Sequence, residues 1–78
     1  MTSSLTQIVA SSVRAEMGRQ GKTQQQVSAL ANMSQQTLSR RLRVDEPTPF
    51  DVEELERVAH ALGVPAVSFF PAPVPSAS

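Results

Sequence analysis

Gln35, Gln36 and Arg40 stand within six positions of one another in a chain of 78 residues, and their side chains carry groups suited to reading the edges of base pairs. A glutamine amide sets a donor beside an acceptor and can pair with N6 and N7 of adenine. An arginine fork sets two parallel donors and can pair with O6 and N7 of guanine. Such reading needs all three on one exposed face of a rigid rod that fits the major groove, and an α-helix is such a rod. Taken singly, each glutamine is no more than a good exposed helix former, so the surrounding sequence has to decide.

The flanking residues predict two short helices joined by a tight turn. Thr23 with Gln26 three positions on is a capping box, which satisfies two orphan backbone donors reciprocally, so a helix starts at Gln24. Val27 and Ala31 recur four apart as a narrow buried stripe, and the small Ser28 lets another helix come close. Asn32 tolerates the left-handed conformation that ends a helix, Met33 turns into the core, and Ser34 is a good N-cap. The second helix then runs from Gln35 to about Leu42. Leu38 and Leu42 form its inward stripe, which leaves Gln35, Gln36, Ser39, Arg40 and Arg43 outside.

This segment resembles the helix-turn-helix of the phage repressor and Cro family, in which Thr-Gln, a small residue, a glycine-like turn, Ser-Gln, an aliphatic residue and Ser-Arg follow in order. Thr23, Gln24, Ser28, Asn32, Ser34, Gln35, Leu38, Ser39 and Arg40 fall on those positions, and the likeness extends from about residue 5 to residue 70. The resemblance implies that the second helix enters the major groove of double-stranded DNA. Gln35, Gln36, Ser39 and Arg40 are then the expected base contacts. Gln24 matches the family glutamine that touches phosphate and supports the first glutamine of the recognition helix. Lys22, Thr23, Arg41 and Arg43 complete the expected phosphate contacts. Two positions depart from the pattern: Asn32 stands where Gly is frequent, and Leu42 stands where many members carry a Glu that can pair with the helix-one arginine matched here by Arg14.

Charge distribution points the same way although the formal net charge is zero. Arg14, Arg19, Lys22, Arg40, Arg41 and Arg43 face only Glu16 in residues 1–44, whereas Asp45, Glu46, Asp51, Glu53, Glu54 and Glu56 face only Arg57 in the remainder. A chain so divided can turn a positive face to a duplex and a negative one away from it. The alternative is two solvated helix surfaces, and the position of the motif inside the basic half favours the first.

The elements that must position this motif are also legible. Leu5, Ile8, Val9, Val13 and Met17 predict an amphipathic first helix that ends near Gln20 and Gly21, with Ser4 and Gln7, or Thr2 or Ser3, at its cap. Pro47 and Pro49 forbid helix between Val44 and Phe50. Asp51 with Glu54 caps a further helix, Phe50 staples against Leu55, and Val52, Leu55, Val58, Ala59 and Leu62 form its buried stripe up to Gly63. Pro65 suits the first turn of a short last helix that ends near Phe70. The fold expected is all-α, a compact bundle of about five short helices of the lambda-repressor type, over residues 1–70. Residues 71–78, with three prolines and no charge, are expected to be a tail or linker.

Other chemistries find little footing. There is no cysteine and a single histidine, His60, so neither a disulfide framework nor a Cys- or His-based metal site is expected. Asp51, Glu53, Glu54 and Glu56 crowd a helix start, where acids suit the dipole, and no catalytic residue, cofactor or small-molecule ligand is expected. No apolar run reaches the roughly 20 residues of a membrane span, and the expected address is the cytoplasm of a prokaryotic cell or phage-infected host. One recognition helix covers few base pairs, so a weak homodimer, or a dimer formed on a near-palindromic operator, is expected, with Phe69 and Phe70 as the possible contact. A phage or prophage repressor or Cro-like regulator is the reading these residues favour. An antitoxin-like or assembly module that uses the same helices against a protein is the alternative.

Overall fold

The computed structural model describes residues 4–71. Four α-helices, α1 (Ser4–Gln20), α2 (Gln24–Leu30), α3 (Gln35–Arg41) and α4 (Val52–Leu62), lead into a 3-10 turn, Ala66–Phe69, and no strand occurs among the described residues. The expected tail, beyond Pro71, lies outside the described residues, as do Thr2 and Ser3, two candidate caps of α1. Ser4 is already helical and therefore not the cap.

The helix starts are made by short-range hydrogen bonds. Thr23 Oγ1 accepts from the Gln26 N–H at 3.1 Å while Gln26 Oε1 accepts from the Thr23 N–H at 2.9 Å. Asp51 and Glu54 form the same reciprocal box at the head of α4, at 2.7 and 3.1 Å. Ser34 caps α3 alone, accepting from the Thr37 N–H at 3.0 Å.

Three exits share one device. Gly21, Asn32 and Gly63 adopt φ of 68°, 56° and 69°, the left-handed region in which a Cβ is costly to all but asparagine and a few others. In each case the next N–H reaches back to an orphan carbonyl: Lys22 to Met17 at 2.9 Å, Met33 to Ser28 at 2.9 Å, and Val64 to Ala59 at 3.0 Å. Asn32 therefore makes, without a glycine, the same left-handed exit as Gly21 and Gly63.

The centre of the core takes one side chain from every element. Val13 of α1, Val27 of α2, Leu38 of α3, Val58 of α4 and Phe69 of the 3-10 turn are all essentially sealed from solvent. The 3-10 turn packs on α1 and α4, while α2 packs on α3 and α4. Phe69 thus closes the bundle at the end away from α3.

Three apolar positions expected inside are exposed instead. Leu5, Ile8 and Val52 retain 48%, 39% and 79% of their surface. Each sits near the start of its helix, in α1 or α4, beyond the reach of the packed layer, so periodicity places it on the correct face but past the edge of what covers that face. Ala10, at 1% exposure, is buried although the apolar spacing does not mark it. Leu5 still lines a cleft of about 130 Å³ with Val9, Phe50, Leu55 and Phe70.

Candidate nucleic-acid interface

The recognition surface is built by the register of α3. A helix advances about 100° per residue, so with Leu38 and Leu42 buried in the core, Arg40 stands on the opposite side. Gln35, Gln36, Ser39 and Arg40 are all exposed. The Arg40 side chain has no partner among the described residues, and its own carbonyl is held by the Thr48 N–H at 3.0 Å. A free fork therefore projects from an anchored backbone. The two glutamine amides lie one turn toward the N-terminal end, where a helix laid in the major groove first meets base edges.

The flanking candidates divide. Thr23 is exposed and Gln24, the first residue of α2, is half-buried. The Thr23 hydroxyl oxygen serves the capping box and its proton remains for an outside acceptor. Arg43 pairs with Asp45 at 3.2 Å, but both side chains are more than half exposed. The guanidinium beside Asp45 holds that carboxyl below its ordinary value, yet exposed pairs contribute little and exchange readily for a phosphate. Lys22 turns its ammonium to the Ala61 carbonyl at 3.3 Å, at the end of α4. There it complements the helix dipole alongside Gln20, whose amide donates to the Leu62 carbonyl at 2.7 Å.

Arg41 departs most from the phosphate role expected of it. Its Nε and Nη2 donate to the two oxygens of Glu54 at 2.9 and 3.1 Å, and the paired side chains are only 19% and 12% exposed. The guanidinium edge suited to a phosphate is occupied within the fold, because the residue lies about 60° from Leu38 toward α4 rather than on the outer face. Glu54 thereby does two tasks, closing the cap of α4 and gripping α3.

The Arg41 fork, more than any other neighbour, holds the Glu54 carboxyl below its ordinary value of 4.5. A depressed folded value means that the stabilisation is complete above the ordinary value and is lost as pH falls through the lower, folded one. Glu54→Gln keeps an amide oxygen for the Asp51 N–H but loses the charge. It is expected to cost about 1.5 kcal/mol at neutral pH and to flatten the stability curve below about pH 4.5, measured by urea unfolding at a series of pH values. Equal stability of parent and variant at pH 7 contradicts this.

Two partners were hidden in the sequence. Arg14, left without the family's Glu at position 42, donates from Nη1 to the Leu42 carbonyl at 2.8 Å and the Arg43 carbonyl at 3.3 Å. The available signal was the set of orphan carbonyls that a helix must present before a proline-rich loop. Of the possible dimer contacts, Phe69 is 1% exposed and belongs to the core, whereas Phe70 is 40% exposed beside Leu5, so a surface role at that end falls to Phe70 alone. His60 is exposed on α4. No helix among the described residues is long and apolar enough to cross a membrane.

The same architecture occurs in known structures. A mutant of the restriction-modification controller protein C.Esp1396I superposes with a TM-score of 0.78 at 23% identity, covering 88% of this chain and 85% of that one. The hypothetical transcription factor NHTF from Neisseria gives 0.77 at 22% identity over 88% and 77% of the two chains. At such identities the likeness is one of fold. No curated protein is similar enough in sequence to be matched. A family model described as helix-turn-helix matches residues 13–69, which takes in Arg14, both helices of the motif, all of α4 and Phe69. The chain belongs to the helix-turn-helix family of DNA-binding regulators.

Proposed function

We propose that this chain is a sequence-specific transcriptional regulator, a phage or prophage repressor or Cro-like protein of the prokaryotic cytoplasm, that blocks promoters by occupying operator DNA. The observation that carries the reading is the outer face of α3: two amides, a hydroxyl and an unpartnered guanidinium, all exposed, on a helix whose opposite side is locked into the core. Gln35 and Gln36 read adenine, Arg40 reads guanine and Ser39 sits between them. Thr23, Gln24 and Arg43 hold phosphates, with Lys22 within reach once it leaves Ala61. Of the acidic residues at the start of α4, Glu54 is taken up by Arg41 of α3.

One seven-residue helix spans only a few base pairs, so a second copy about 34 Å along a near-palindromic site completes the recognition. The dimer forms mainly on DNA, with Phe70, exposed beside Leu5, at or near the contact.

Affinity is expected to fall steeply with salt, since each neutralised phosphate contributes about −0.9 to the log-log slope. Several contacts per subunit then lower affinity by orders of magnitude between roughly 50 and 200 mM salt. Titration of a labelled duplex by fluorescence anisotropy across that range measures the slope. A flat profile would remove the electrostatic part of the reading.

A further inference from the structure

The surface that reads bases is carried by a helix of seven residues, and isolated helices shorter than roughly 12–15 residues do not hold themselves together in water. α3 packs chiefly on α2, the helix before it. Its far end is tied to the rest of the domain by the buried Leu42 and by a set of polar contacts. The last carbonyls of any helix lack partners within it, and here each outside partner comes from a different place. The Thr48 N–H takes the Arg40 carbonyl. Arg14, 28 positions before Leu42 in the sequence, takes the carbonyls of Leu42 and Arg43. Glu54 takes the side chain of the residue between them, Arg41. The backbone is therefore fixed at, and directly after, the one arginine of α3 that projects freely.

Arg14 is the part of this arrangement in which a cationic side chain meets backbone alone. Its guanidinium bridges two successive carbonyls where the chain leaves α3, at the negative end of the helix dipole, which favours a cation. Both hydrogen bonds leave one nitrogen, Nη1, at the tip of the long arginine stem, so reach as well as charge fits the residue to this place. We propose that Arg14 is a positioning residue for base reading: it sets the angle of the C-terminal end of α3 against α1, so that the Arg40 fork meets its base pair in register.

This role rests on the reading of α3 as the groove helix. A bidentate contact needs its groups placed within about 0.5 Å and 10–20°, whereas attraction to phosphates tolerates more. Loosening the last turn therefore lowers discrimination between sequences before it lowers general affinity for DNA. A phosphate-binding role for Arg14 makes the opposite prediction, since loss of one phosphate contact reduces the salt slope by about 0.9.

The test compares Arg14→Met, which keeps an unbranched stem without donors, with Arg14→Lys, which keeps the charge but falls one bond short of the reach of Nη1 to the two carbonyls. Both are titrated with a duplex selected by the parent chain and with a scrambled duplex, over a salt series, at a temperature where circular dichroism shows a folded chain. Arg14→Met is expected to lower the ratio of selected to scrambled affinity by roughly tenfold with the salt slope unchanged, and Arg14→Lys to fall between. An unchanged ratio overturns the role, and so does a slope reduced by about 0.9. If Arg14→Met does not fold, Arg14→Lys decides, with full discrimination overturning the role. A parent chain that selects no sequence at all overturns the groove reading itself, and the positioning role with it. Parent selectivity with intact variant selectivity overturns the positioning role alone.

Discussion

Arg40→Ala is expected to cost about 1–3 kcal/mol on the selected site and to erase preference at one base pair of each half-site while leaving preference elsewhere. The size follows from what is lost. Arg40 is the one cation of α3 that stands opposite the buried leucines with no partner among the described residues, and a good bidentate pair to guanine discriminates by that amount. On scrambled DNA the loss is smaller, and the salt slope changes by less than a full phosphate contact. Competition titrations against duplexes altered one pair at a time measure the effect. If every position kept its preference, the fork would not be reading a base.

Phe69→Ala is expected to destabilise the domain by roughly 3–5 kcal/mol, much the larger effect on the fold. A domain of this size has a total stability of about 0.05–0.15 kcal/mol per residue, so the change removes roughly a quarter or more of it and, at the lower end of that range, unfolds much of the protein. Phe69 is 1% exposed and is the largest of the sealed side chains. It joins α1 to α4 from the 3-10 turn. The neighbouring Phe70→Ala, at 40% exposure, is expected to cost well under half as much. A polar residue at position 70 instead lowers cooperativity on a full site while half-site binding stays intact. Urea unfolding of the two variants separates them. Similar losses in both would mean that the turn is not held as described.

The contrast between these adjacent phenylalanines shows where the sequence was informative and where it was not. That one of them is buried follows from the need of a small bundle for a closing aromatic; which one depends on how the 3-10 turn rotates after Pro65, and no periodicity spans so short an element. The caps at Thr23, Ser34 and Asp51 were legible because a side chain and its N–H target three residues on are fixed by helix geometry alone. Asn32 was legible for the same reason, as a residue type matched to one backbone conformation. The helix faces of α3 and most of α4 followed from spacing.

What escaped was everything that depends on how the helices cross. Arg41 and Glu54 are separated by a loop of irregular structure, and their pairing requires the last turn of α3 to meet the first turn of α4. The position of Arg41 at the flank of the recognition helix suits a phosphate equally well in sequence. Arg14 and Leu42 look unmatched when side chains alone are compared, because the acceptor is backbone. Val52 has the spacing of a core residue and misses the core only because the bundle stops short of it. Lys22 counts as a free cation in composition, yet its reach to Ala61 depends on the ends of α1 and α4 coming together.

The central claim is that the outer face of α3 reads base pairs in the major groove. Repeated selection of duplexes from a random pool by the parent chain, followed by sequencing, tests it most directly. The account predicts enrichment of a near-palindromic site, with half-sites about one helical turn apart, each holding adenine and guanine at adjacent or near-adjacent pairs. The guanine position should relax when the same selection is made with Arg40→Ala. Retention of DNA with no sequence enriched above the starting pool would contradict it, leaving a basic surface that holds the duplex without reading it.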